Sequence, residues 1–128
     1  MKRGEWKEYI AGTYGVEPDF PWSRFPNHMV FRHEQNRKWF ALLMSIPGSK
    51  LGIPGDQTVD ILNLKCDPLL TGSLRREPGF YPAYHMNKET WITAALDGSA
   101  EEERIKQLLH MSFYLTAPKN GCSCGAIP

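Results

Sequence analysis

The chain has 128 residues, 15 of them Lys or Arg and 14 Asp or Glu, for a formal charge of +1. With 41% hydrophobic and 12% aromatic residues it carries enough apolar surface for one folded domain, which excludes a disordered chain. The even charge balance excludes a strongly basic nucleic-acid coat and an acidic solvating tail.

Trp6, Tyr9, Ile10 and Thr13 stand at i, i+3, i+4 and i+7, which predicts an amphipathic first helix closed by Gly15. Three prolines between Pro18 and Asn27 argue against long regular structure there. Strands are predicted over His28–His33 and Lys38–Ile46, with Glu34–Arg37 as a hairpin turn. The run Trp39–Met44 is apolar without alternation, the pattern of a strand covered on both faces. Pro47–Gln57, with two prolines and three glycines, predicts a long projecting loop, and Thr58–Lys65 a third strand.

Asp67-Pro68 marks a helix start, because Asp caps and Pro suits the first helical position. That helix carries Leu69, Leu70 and Leu74 and stops before Pro78-Gly79. Gly79–Met86 reads as a short strand or extended segment, and Thr90–Leu96 as a strand ended by Asp97-Gly98. Ser99-x-x-Glu102 predicts a capping box, and Ile105, Leu108, Leu109, Ser112 and Leu115 a last helix ended by Pro118. Residues 119–128 predict a flexible tail, leaving 1–118 as a single domain. Helices before, within and after a strand run predict an α+β two-layer sandwich.

No run approaches the ~18 apolar residues of a membrane-spanning helix, and Met1–Glu8 has no apolar stretch behind its charges. Cys66, Cys122 and Cys124 are too few to staple a secreted domain. The expectation is a cytoplasmic chain with no membrane partner.

Nucleotide loops of the Gly-x-Gly-x-x-Gly and Walker types and the Gly-x-Ser-x-Gly elbow are absent from the sequence. Cys122-x-Cys124 has no further ligands nearby and reads as two free thiols. Cys66, between a strand and a helix cap, is either a small buried residue or a thiol made reactive by the helix N-terminus. The spacing of His28, His33, His85 and His110 argues for no metal site. Asp67 and Glu101–Glu103 suit the first turns of helices, where carboxylates complement the dipole. No metal, cofactor or catalysis is expected.

His85-Met86-Asn87-Lys88-Glu89-Thr90-Trp91 brings an imidazole, an amide, an ammonium and an indole together at the entry of a strand. Two readings stand. In one, Lys88 and His85 hold phosphate, Asn87 touches a base edge and Trp91 stacks a base. In the other, Asn87 shapes a turn, Lys88 is solvated and Trp91 is a core anchor. Lys65, Arg75 and Arg76 extend the first reading, since Lys65 to Lys88 holds four basic residues against two acidic ones. Arg75 and Arg76 also suit a helix C-terminus with no ligand at all.

Several blocks together resemble the MmcQ/YjbR family: Tyr14-Gly15-Val16-Glu17-Pro18 leading to Phe20-Pro21-Trp22, Val30-Phe31-Arg32, Lys38-Trp39-Phe40-Ala41-Leu42, and Leu62 to Pro68. Pro78 to Lys88, Trp91-Ile92 and Leu96-Asp97-Gly98-Ser99 complete the match, with His85-x-Asn87-Lys88-x-x-Trp91 the most diagnostic. The resemblance implies a frataxin-like (CyaY-like) fold, with helices from both chain ends on one face of an antiparallel sheet. It also implies DNA binding through a double-wing arrangement, and it carries over no enzyme activity or cofactor. On this reading the loops Glu34–Arg37 and Pro47–Gln57 are the wings, Lys65, Arg75, Arg76, His85 and Lys88 hold phosphates, and Asn87 touches a base.

The alternative is a protein-interaction domain with another protein as partner, using Trp22, Phe80, Tyr81 and Tyr84. An enzyme with Cys66 or His85 as nucleophile or base lacks any ordered constellation. The distribution of charge separates the first two. Lys65, Arg75, Arg76 and Lys88 on one face, with Glu101–Glu103 opposite, favours DNA; scatter favours a protein partner.

Overall fold

The computed structural model describes residues 1–118; the tail expected over 119–128, with Cys122 and Cys124, lies outside the described residues. In chain order the elements are α1 (Arg3–Tyr14), β1 (Met29–Arg32), β2 (Trp39–Pro47), a 3-10 turn (Gly48–Leu51) and β3 (Thr58–Lys65). They continue with α2 (Pro68–Leu74), β4 (Phe80–Pro82), β5 (Trp91–Ala95) and α3 (Glu102–Leu115). The strands form one antiparallel sheet in the order β1-β2-β3-β5-β4.

Local chemistry explains most of the boundaries. Gly15, left-handed at φ 65°, closes α1 by donating its N–H to the Ala11 carbonyl. Asp67 accepts the Leu69 N–H and Pro68 opens α2, as the sequence requires. The expected capping box at Ser99 does not form. Asp97 captures both the backbone N–H and the hydroxyl of Ser99, so α3 begins only at Glu102, with Glu101 as its N-cap. The segment Pro47–Gln57 is closed on itself, and its Leu51 packs against the apolar cluster of Leu42, Met44 and Ile46. Gly48 donates its N–H to the Gln57 carbonyl at 2.9 Å and Ile53 donates to the Gly48 carbonyl at 3.0 Å, folding the loop onto itself.

β2 is buried on both sides, as its unbroken apolar run predicts. Its pairing with β1 steps from Phe31↔Ala41 to Arg32↔Trp39, which leaves Phe40 as an extra residue in a β-bulge. The bulge sends Phe40 to the helix side and Trp39 to the opposite side with Leu42, Met44 and Ile46. On the helix side, Trp6 and Ile10 of α1 and Ile105, Leu108 and Leu109 of α3 pack on Phe31, Leu62 and Leu64, while α2 adds Leu74. The terminal helices thus share one face of the sheet. Among the described residues the other face carries no α-helix. Its apolar cluster of Val30, Leu42, Met44, Ile61 and Trp91 is covered by side chains from loops and turns, among them Trp22, Leu51, Tyr84 and Met86.

The bulge opens the ladder where Lys65 would face Phe40, and α3 fills the gap. Ser112, fully buried, donates its hydroxyl to the Phe40 carbonyl at 2.5 Å and accepts the Lys65 N–H at 2.8 Å. Ser112→Ala strands both backbone groups in the interior and is expected to lower stability by about 1–3 kcal/mol, read from the urea midpoint.

His33 ties the β1–β2 turn to the end of α3. Its Nε2 lies 2.9 Å from the Phe113 carbonyl oxygen and 2.9 Å from the Thr116 hydroxyl. Burial lowers its pKa from 6.5, against a smaller opposing effect of the Phe113 carbonyl. Below pH 6.5 the unfolded chain therefore takes up a proton that the native state resists, and stability falls as pH drops from there through the native value. His33→Gln, which keeps a donor and cannot titrate, is expected to flatten this acid loss in urea unfolding measured across that range.

Candidate nucleic-acid interface

Strand register gathers the site. Lys65 ends β3 opposite Trp91, the first residue of β5, while Trp39 opens β2 opposite Arg32, the last residue of β1. The turns 33–38 and 83–90 therefore leave the sheet at the same end and flank Lys65. The Lys65 ammonium stands 5.5 Å above the Trp91 ring, a cation–π contact that holds the side chain over the helix-free face. A cleft of about 350 Å³ opens here, lined by Arg37, Lys38, Trp39, Lys65, Trp91 and Leu115.

The first turn is rigidly built. Arg37 adopts φ 62° and donates its N–H to the His33 carbonyl at 3.0 Å. Asn36 accepts the Lys38 N–H through its side-chain oxygen and donates its amide to the Thr116 carbonyl at 2.9 Å, fastening the turn to α3. Asp19 serves two guanidiniums at once, Arg32 at 2.5 Å and Arg37 at 3.7 Å, so positive charge remains in excess there.

The second turn brings four of the six expected residues together. His85, left-handed at φ 58°, stacks on Tyr84 with ring centroids 4.0 Å apart. The side-chain oxygen of Asn87 accepts the Glu89 N–H at 2.8 Å and shapes the turn. Lys88 donates its ammonium to the Ala83 carbonyl at 2.9 Å, and the Arg75 guanidinium donates to the Lys88 carbonyl. Arg75 thus holds the turn from α2. Lys65 lies at the same end across Trp91. Arg76 does not join the group; it is exposed beside Glu77, which pairs with Arg104 at 3.0 Å. Trp91 is 8% exposed and acts as a core anchor beneath Lys65.

Sequence reasoning missed Arg37, Lys38 and Trp39 as partners of Lys65. The signal was present in the hairpin pattern, since the β1–β2 turn and the end of β3 must meet wherever β2 lies between them. Arg37, Lys38 and Lys65 line the cleft, and no Asp or Glu is among its lining residues. Glu101–Glu103 stand at the far end of α3, whose 14 residues separate them from the cleft by about 20 Å.

A second concavity of about 390 Å³ lies on the helix-free face. Trp22 and Phe25 form one wall, Tyr84 and His85 the other, with Leu42, Met44 and Asn63 in the floor. Trp39, 6.0 Å from Trp22 in an edge-on contact, lines this pocket and the cationic cleft alike. Fully buried Asn63 donates its amide to the Tyr84 carbonyl at 2.9 Å and accepts the Thr93 hydroxyl, whose oxygen in turn accepts the Tyr84 N–H at 2.9 Å. This network fixes the Tyr84 wall.

Other expected features resolve differently. Phe80 is 4% exposed in the helix-side core, so Trp22, Phe80, Tyr81 and Tyr84 do not share one surface. Burial pushes the Cys66 thiol up, and the neighbouring Asp67 charge adds to it, the opposite of activation by a helix N-terminus. Among the described residues, no group of three or more His, Cys, Asp or Glu side chains is placed to hold a metal ion. No helix among them is long and apolar enough to cross a membrane.

The YjbR family model matches residues 11–115, which takes in the sheet, both turns and both concavities. The chain belongs to the YjbR family. The uncharacterized protein YyaQ of Bacillus subtilis (strain 168) is 41% identical over 109 residues, 85% of this chain and 92% of that one. A crystal structure of a Pseudomonas syringae protein superposes with a TM-score of 0.89 at 51% identity, covering 91% of this chain and all of that one. A Deinococcus radiodurans crystal structure reaches 0.60 at 27% identity, over 84% of this chain and 72% of that one. The Pseudomonas syringae protein thus shares the fold of this chain over nearly its whole length.

Asn63→Leu keeps the volume of the pocket floor but leaves the Tyr84 carbonyl without its side-chain donor and the Thr93 hydroxyl without an acceptor. A loss of about 1–3 kcal/mol is expected in urea unfolding.

Proposed function

We propose that this chain is a cytoplasmic DNA-binding protein that does no chemistry on its ligand. The observation that carries the reading is the meeting of Arg37, Lys38 and Lys65 around one cleft, with the glutamates of α3 about 20 Å away. The double-wing expectation that accompanies the YjbR resemblance supports it, with one change of assignment. The wings are the turns 33–38 and 83–90, because both flank Lys65. The loop 47–57 stands at the far end of β2, nine residues or about 30 Å away, and takes no part.

In this reading Arg37, Lys38, Lys65 and Lys88 contact phosphates, and Arg75 positions the turn that presents Lys88, His85 and Asn87. Contacts of this kind set affinity and register without reading sequence. A formal charge of +1 is no obstacle, because attraction depends on local potential and not on the total.

Four neutralised phosphates give a slope of log K against log salt of about −3.6 on duplex DNA and about −2.8 on a single strand. Fluorescence anisotropy with a labelled oligonucleotide between about 50 and 200 mM salt measures it. Charge reversal at Lys38 and Lys65 together is expected to halve the slope at least. Absence of salt-dependent binding to both single- and double-stranded DNA, or unchanged binding by that variant, overturns the proposal.

A further inference from the structure

The aromatic pocket and the cationic cleft are parts of one surface. Asn63 in the pocket floor and Lys65 in the cleft are two residues apart on the same face of β3, about 6.6 Å along the strand. Trp39 forms a wall of each. A ligand that fills both must therefore be flat and apolar at one end and anionic at the other, with a short polar spacer between. The pocket lining contains no Lys, Arg, Asp or Glu, only the imidazoles of His28 and His85 and the Tyr84 phenol among titratable groups, which suits a buried end without a full charge. Its volume of about 390 Å³ and its indole, phenyl and thioether walls suit a planar aromatic ring.

We infer that the pocket seats the base of an unpaired nucleotide while Arg37, Lys38 and Lys65 hold its phosphate. The inference rests on the DNA-binding reading and narrows it to a class of ligand. A base paired in a duplex cannot reach Leu42 and Asn63 at the floor; a base in a single strand, or one extruded from a helix, can. Both amide groups of Asn63 are engaged within the protein, so the floor offers stacking and shape more than an edge to read. Base identity therefore matters little, as on other stacking platforms. The His85 ring, stacked on Tyr84 at the rim, stands where the sugar would pass.

The test uses the full chain and four probes: a labelled single strand of mixed sequence, its duplex, an abasic strand of equal length, and AMP. One seated base is expected to make the single strand bind roughly tenfold more tightly than the abasic strand. Trp22→Ala removes a wall that lies outside the sheet; it is expected to abolish that preference and leave the salt slope intact. In the unaltered chain, methyl signals of Met44 and Met86 shift with the base-bearing strand and stay with the abasic one, a readout that needs no variant. Saturable AMP binding with the same methyl shifts supports the pocket and names a free nucleotide as the source. Equal binding of single strand, abasic strand and duplex, with the methyl signals unmoved, overturns the inference while the DNA-binding reading stands. Loss of all salt-dependent binding overturns that reading itself.

Discussion

Phe40 is one residue more than β1 can pair with, and the bulge that accommodates it decides how the rest of the sheet is used. Beyond the bulge, β2 alternates normally. At the bulge the alternation resets, so Phe40 drops under the helices while Trp39 emerges on the open face. Phe40 then becomes the hub of an aromatic cluster, with Tyr14 at 5.4 Å, Phe113 at 4.9 Å and His33 at 5.3 Å between ring centroids. Trp39, freed from the core, becomes the wall between two concavities. The broken ladder would leave Phe40 and Lys65 with unpaired backbone groups, and the Ser112 hydroxyl closes both bonds.

The consequence reaches the candidate site directly. The Lys65 backbone is positioned by its bond to α3, and its ammonium by the Trp91 ring beneath it. The turn 33–38 is fastened to the same helix through His33 and Asn36. A single element, the last turn of α3, thus sets the spacing of the cations in the cleft. The opposite turn is set by different means: Asn63, Thr93 and Tyr84 form a closed polar chain across β3 and β5, and Arg75 braces the turn from α2.

Charge follows the same axis. The helices run so that α3 begins with three glutamates at one end of the sheet and finishes against the cleft at the other. Helix polarity reinforces the arrangement, since carboxylates are favoured at the N-terminus of α3 whatever the ligand at its other end.

Much of this was written in local pattern. The 3.6-residue spacing in α1 and α3, the Asp67-Pro68 start and the Gly15 stop needed only the chain itself, because helix ends are decided within a few residues. The two-sided burial of β2 was visible as an apolar run without alternation, and the family blocks carried the expectation of terminal helices on one face. The bulge was not visible. Trp39-Phe40-Ala41-Leu42 has no polar residue to mark where alternation resets, and only pairing with β1 shows it. Ser99 was misread for a related reason: its hydroxyl and N–H both donate to Asp97, and the hydroxyl does not reach the N–H groups of the helix it was expected to cap. Ser112, Asn63 and the trio Arg37, Lys38 and Lys65 acquire their roles from partners distant in sequence. The sequence by itself determined the elements, their order and the even count of charges, since these depend on composition and short-range spacing. Tertiary structure alone decided which side chains face each other across strands, and hence that cations and indoles meet at one end of the sheet.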